Sequence, residues 1–254
     1  MIAVFITGAS SGLGRALAWR YASMGARLGL VARRADVLQE LADALPGEHH
    51  VYALDVCDRE ALHQAAQHFL AANEGRVDVV VASAGISAGT LTEHVEDFDV
   101  FKAIVDTNLL ATVSTFEPFI EPMKKAGTGR LVGIASVAGV RGLPGAGAYS
   151  ASKAAVVTYC ESLRLELSAA GIQVVTIAPG YIKTAMTAKN PYSMPFLMEA
   201  DDFARHAHVA IERGVSYTVI PWQMGVVAKL MRLLPNWLYD RAARGAPRKP
   251  RLNK

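Results

Sequence analysis

The chain has 254 residues, 52% of them hydrophobic and 19% charged, a balance that favours a buried core over disorder. Its net charge of +3, from 26 basic and 23 acidic residues, is too slight for a surface built to hold a polyanion, so no nucleic-acid partner is expected. No run approaches the roughly 20 apolar residues of a membrane-spanning helix. Cys57 and Cys160 have no paired spacing, which argues against a disulfide framework or a metal site and reads as reduced thiols in a cytoplasmic protein.

Residues 2–6 form an apolar run without the basic flank of a signal peptide and read as a first strand. Further β-rich runs fall at 27–32, 51–54, 77–82, 130–135, 173–178 and 217–220. Between them, residues 15–24, 37–45, 59–73, 97–117, 150–169 and 201–213 carry apolar positions at three- and four-residue spacing, which predicts helices. Near-continuous runs such as Val77-Asp78-Val79-Val80-Val81 suit strands covered on both faces. The alternation predicts a single α/β domain over residues 1–240, a doubly wound parallel sheet of about seven strands, followed by a basic tail at 241–254.

Directly after the first strand comes Thr7-Gly8-Ala9-Ser10-Ser11-Gly12-Leu13-Gly14, a glycine-rich turn opening into a helix. Glycines there let backbone approach a pyrophosphate, and the helix N-terminus attracts the anion, although glycines also serve plain tight turns. The second strand runs into Arg33-Arg34 with no acid before Asp36. An acid near that strand end would bond the ribose hydroxyls of NAD, whereas arginine accommodates a 2′-phosphate, so Arg33 and Arg34 point to NADP(H) rather than NAD; the alternative is a solvated charge run. Asp36 reads as a helix N-cap. Asp55-Val56, ending the third strand, either faces an adenine or forms a turn.

Tyr149 and Lys153 stand four residues apart at a predicted helix start and so project from one face. A nearby ammonium favours phenolate over phenol, which fits a tyrosine for proton transfer. Ser136, thirteen residues before Tyr149, ends the fifth strand, where a hydroxyl can meet a substrate oxygen. Asn108, a poor helix former inside residues 97–117, is either a tolerated exposed residue or a polar group held for a purpose.

The ordered set Thr7-Gly8-x-x-x-Gly12-x-Gly14, Asp55-Val56, Asn108, Ser136, Tyr149-x-x-x-Lys153 and Pro179-Gly180 resembles the short-chain dehydrogenase/reductase family, over nearly the whole chain to about residue 221. The resemblance implies a Rossmann-type fold and an enzyme passing hydride between nicotinamide and a ketone or secondary alcohol. It implies Tyr149 as acid/base, Lys153 lowering its pKa and bonding the nicotinamide ribose, Ser136 polarising the substrate oxygen, and Asn108 holding a relay water. Pro179, Gly180, Ile182 and Thr184 would border the nicotinamide. Where the family carries Asn-Asn-Ala-Gly this chain has Ala82-Ser83-Ala84-Gly85, which removes two amides from the loop whose Ala84 and Gly85 would lie beside the cofactor. A catalytically silent NADP(H)-binding sensor or scaffold is the competing class.

Residues 184–213 correspond to the family's substrate loop. Met186, Met194, Phe196, Leu197 and Met198, in a stretch broken by proline, either cover an apolar substrate or pack on the core. His206 and His208, two apart, point to different helix faces and do not make a metal site. Apolar residues at helical spacing across 225–238 precede Arg241, Arg244, Arg248, Lys249, Arg251 and Lys254, with no acid after Asp240. Such a segment rests on an anionic membrane surface or packs at the substrate pocket or a subunit interface. Its Ile220-Pro221-Trp222 start and Leu234-Pro235 resemble lipid-ketone reductases of the 3-ketosphinganine type. The resemblance also implies a homodimer or homotetramer built on the long helices at 97–117 and 150–169.

Overall fold

The computed structural model describes residues 1–188, 190, 192–246 and 248–251. Lys189 and Pro191 of the expected loop, and Lys254 of the basic tail, lie outside the described residues. A seven-stranded sheet runs in the order β3-β2-β1-β4-β5-β6-β7, with each neighbouring pair parallel. The strands are β1 (Ala3–Thr7), β2 (Arg27–Ala32), β3 (His50–Ala53), β4 (Val79–Ala82), β5 (Gly129–Ile134), β6 (Ile172–Pro179) and β7 (Tyr217–Ile220). The helices are α1 (Gly12–Ala22), α2 (Ala35–Ala44), α3 (Arg59–Ala71), α4 (Phe98–Val105), α5 (Ala111–Ala126), α6 (Gly147–Leu167), α7 (Ala200–Glu212), α8 (Trp222–Leu233) and α9 (Asn236–Ala243). Each expected strand and helix is present within a few residues of its expected bounds, except the segment 97–117.

Successive strand residues point to opposite faces, so β1 feeds two cores. Val4 and Ile6 join Leu17 and Tyr21 of α1, Leu38 of α2, and Phe203 and Ile211 of α7. Phe5 faces the other way, into Leu62 and Phe69 of α3, Phe116 and Phe119 of α5, and Val156 and Leu163 of α6. Its ring lies 5.5 Å from that of Phe69 and 4.9 Å from that of Phe119. A Cβ at Gly29 on β2 would stand 2.6 Å from the Phe5 ring, so glycine in this strand makes room for an aromatic cluster.

The segment 97–117, expected as one helix, is broken. A 3₁₀ turn (Val95–Asp97) leads into α4, a π-helical turn (Asp106–Leu110) follows, and only then does α5 begin. Nor does the helix stop at Glu117: α5 continues through Pro118 and Pro122 to Ala126. Burial of Phe116, Phe119 and Met123 against the sheet outweighs the breaker signal of the prolines. Asp36 does not cap α2; Arg34 holds the N-cap position and Asp36 lies in the first turn, where a carboxylate suits the positive helix end.

The chain beyond α9 returns to the body of the domain. Gly89 N–H donates to the Pro250 carbonyl at 3.0 Å, and Arg251 donates to Asp97 and Glu96, each at 2.8 Å. No helix among the described residues is long and apolar enough to cross a membrane.

Candidate active site

Because the strand order reverses between β1 and β4, the segments leaving their carboxyl ends diverge, and a cleft of about 370 Å³ opens there. Its floor is the turn after β1. At Gly8 (φ +69°) a Cβ would stand 2.8 Å from Ala84 Cα, and a Cβ at Gly14 would overlap the Gly8 carbonyl oxygen. The turn, the loop after β4 and the start of α1 are therefore as close as bare backbone permits. The Thr7 hydroxyl joins two of these segments, accepting from Ser83 N–H at 3.2 Å and Ala84 N–H at 3.3 Å. That contact ties down the loop that lacks the two amides.

Ser11 precedes α1 without making a side-chain capping bond, and the first turn of α1 contains no acid. The first N–H groups of a helix have no partner inside it and carry its positive end. With Ser10, Ser11, Gly12, Leu13 and Gly14 lining the cleft, this terminus fits a phosphate. Arg34 Nη2 donates to Ser10 Oγ at 3.3 Å, which brings its guanidinium to the same turn. Arg33 lies 3.8 Å from Asp55, whose other oxygen accepts Cys57 N–H at 2.9 Å, so Asp55 forms a turn and an ion pair at the cleft edge. Val56, Ala84 and Gly85 also line the cleft, as do Pro179, Gly180, Ile182 and Thr184.

At the inner end stand Ser136, Tyr149 and Lys153. Tyr149 and Lys153 come from the first two turns of α6, and Ser136 from just beyond β5. Ser136 Oγ accepts Ala138 N–H at 3.1 Å and shares a hydrogen bond with the Tyr149 hydroxyl. Lys153 is buried, and its Nζ donates to the Ile134 carbonyl at 2.7 Å. Burial pulls the Lys153 ammonium down to about 8, against a small opposing effect of the Cys160 thiol. Burial pushes the Tyr149 phenol up, with the Ser136 hydrogen bond opposing it. The phenol thus stands above its ordinary value, opposite to the lowering expected from its place beside Lys153.

Every expected cofactor and catalytic residue except Asn108 lines this one cleft. Asn108 lies in the π-helical turn, fully buried. Its Oδ1 accepts Ile86 N–H at 2.8 Å, and its Nδ2 donates to the Ile86 carbonyl at 3.1 Å and to Ser152 Oγ at 3.0 Å. With both amide hydrogens occupied, the side chain positions its neighbours. Sequence reasoning passed over Ser152, although its place immediately before Lys153 was a usable signal. It also passed over Ile86, whose role rests on its main chain and leaves no mark in the sequence.

The family model for short chain dehydrogenases matches residues 2–194. An oxidoreductase of Myxococcus xanthus is 39% identical over 242 residues, 94% of this chain and 95% of that protein. A 3-oxoacyl-(acyl-carrier-protein) reductase of Thermotoga maritima is 34% identical over 189 residues, 73% of this chain and 76% of that protein. The crystal structure of a 3-ketoacyl-ACP reductase from Sinorhizobium meliloti superposes with a TM-score of 0.78 at 27% identity, covering 89% of this chain and 99% of that one.

Asn108→Ala takes this partner from the part-buried Ile86 N–H and carbonyl, and should cost about 1–3 kcal/mol. Urea unfolding of the two proteins measures it, and an unchanged midpoint contradicts the clamp.

Proposed function

The chain belongs to the short-chain dehydrogenase/reductase family of oxidoreductases, and on that premise we propose that it is an NADP(H)-dependent enzyme acting on a ketone or secondary alcohol of an apolar small molecule. The observation that carries this reading is the meeting of Ser136, Tyr149 and Lys153 at the end of a cleft floored by a glycine turn and an uncapped helix. A nicotinamide cofactor supplies or takes the hydride when bound. The side chains manage the oxygen and the proton. Ser136 donates a hydrogen bond to the substrate oxygen, and Tyr149, kept protonated by burial, gives that oxygen its proton as negative charge develops. Lys153 bonds the nicotinamide ribose and stabilises the phenolate left behind. Asn108 fixes the Ile86 loop against α6, the place from which the family resemblance would have it hold a relay water.

NADP(H) is favoured over NAD because Arg33 and Arg34 flank the cleft where β2 ends, and the acid nearby, Asp55, is engaged with Arg33 and Cys57. The apolar substrate is supported by Met186, on the cleft wall, and by Phe196 and Leu197, half-exposed on the same loop.

Two surfaces lie outside the cleft. Phe98 at the start of α4, Leu110 at the end of the π-helical turn and Leu165 on α6 are exposed, as helices that pack against a second copy would leave them, which supports a homodimer or homotetramer. Along α8 and α9, Trp222, Val226, Leu230, Leu233 and Trp237 form an exposed apolar stripe at helical spacing beside Lys229, Arg232, Arg241 and Arg244. Apolar residues bordered by cations fit the surface of an anionic bilayer, which supports a cytoplasmic protein in peripheral contact with membrane.

Tyr149→Phe should lower kcat by about 100-fold or more while leaving NADPH affinity within a factor of about two; retention of a tenth of the wild-type rate refutes the assignment. Carbonyl reduction needs the phenol and the Lys153 ammonium, so its rate should fall as pH rises past about 8, while alcohol oxidation, which needs the phenolate beside that ammonium, should rise with pH up to that point and then level off. Arg33→Ala should weaken NADPH about tenfold more than NADH by calorimetric titration, and equal losses sink the preference. Leu165→Arg should reduce the mass seen by light scattering and spare binding to anionic vesicles, whereas Trp237→Ser should do the reverse. No change in either assay discards the corresponding surface.

A further inference from the structure

Residues 248–251 form a strap that passes beside Tyr149, itself a residue of the cleft lining. At one end Arg251 is clamped on the buried Asp97 and on Glu96. In the middle the strap runs against Gly89, whose N–H bonds the Pro250 carbonyl and where a Cβ would overlap the Lys249 carbonyl oxygen. Just before these anchors Lys249 turns toward Tyr149. Its Nζ donates to Ser87 Oγ at 2.8 Å and lies 5.4 Å from the centroid of the Tyr149 ring.

This ammonium is half-buried, yet no carboxylate among the described residues lies within ion-pair distance of it. Arg251, two residues away, takes both nearby acids. An ammonium has three donors, and Ser87 takes one. A partly desolvated cation with spare donors is compensated best by an anion brought to it. A single ammonium matches a single negative charge, and its place over the Tyr149 ring sets that charge within several bonds of a carbonyl oxygen resting on the Tyr149 hydroxyl.

We infer that Lys249 determines specificity by holding a carboxylate of the substrate, so that this enzyme acts on an oxo acid or hydroxy acid whose remaining chain is apolar. The inference rests on the proposed carbonyl chemistry and narrows its substrate class. The strap delivers the cation, and Gly89 is the seat that lets the strap dock.

Binding of unreactive probes tests this without relying on turnover. Octanoate and octanamide share a chain and differ in charge, and their affinities for the NADP⁺-loaded protein can be compared by calorimetry. The wild type should prefer octanoate by about tenfold or more. The preference should collapse toward unity in Lys249→Gln and return in Lys249→Arg. Gly89→Ala, which leaves Lys249 in the chain but unseats the strap, should also abolish it. Equal affinities in the wild type, or a preference that survives Lys249→Gln, overturns the inference. The Tyr149→Phe kinetics judge the underlying chemistry separately, so the two failures are distinguishable.

Discussion

The buried Asn108 side chain makes three hydrogen bonds, two to the main chain of Ile86 at the cleft and one to Ser152. Through them a single amide joins the turn between α4 and α5, the loop leaving β4, and the helix that carries Tyr149 and Lys153. The π-helical turn makes this geometry available by inserting an extra residue where a regular helix would have carried the amide past its partners. Buried donors and acceptors left unpaired are costly, so the three segments are held in one arrangement, and the relation between cleft wall and phenol follows from it.

Much of the architecture was legible because it depends on local pattern. Runs such as Val79–Ala82 carry the signature of a strand buried on both faces, and the glycine turn advertises its close approaches directly. The candidate site was legible for a related reason: Tyr149 and Lys153 share a helix face, and Ser136 ends a strand, so spacing and strand position bring them together. What escaped was decided by tertiary contact. Apolar burial carried α5 through Pro118 and Pro122, and Asn108 interrupts its helix because its partners lie in distant segments. For the basic tail, packing at the substrate pocket stood among the alternatives, but nothing in it announces that Gly89, some 160 positions earlier, is shaped to receive it.

The modest net charge of the whole chain conceals a local asymmetry. Arg33, Arg34 and Lys153 line the cleft, Asp55 is the acid among its described lining residues, and Asp55 already pairs with Arg33. A partly water-excluding cleft with surplus positive charge concentrates anionic ligands more effectively than the same charges spread over an open surface. Total charge and site charge thus carry separate information, the first about solubility and the second about what enters.

The bare N-terminus of α1 has a consequence for engineering. A search for stabilising substitutions would single out this helix, because an acid at Ser11 or in the first turn would satisfy its loose N–H groups and ordinarily adds a few tenths to about 1 kcal/mol. Here the added carboxylate would occupy the place a ligand phosphate needs and repel its charge. A more heat-resistant variant obtained that way would be a poorer binder of dinucleotides, and its gain in melting temperature would measure how much helix stability the natural protein leaves for its ligand to supply.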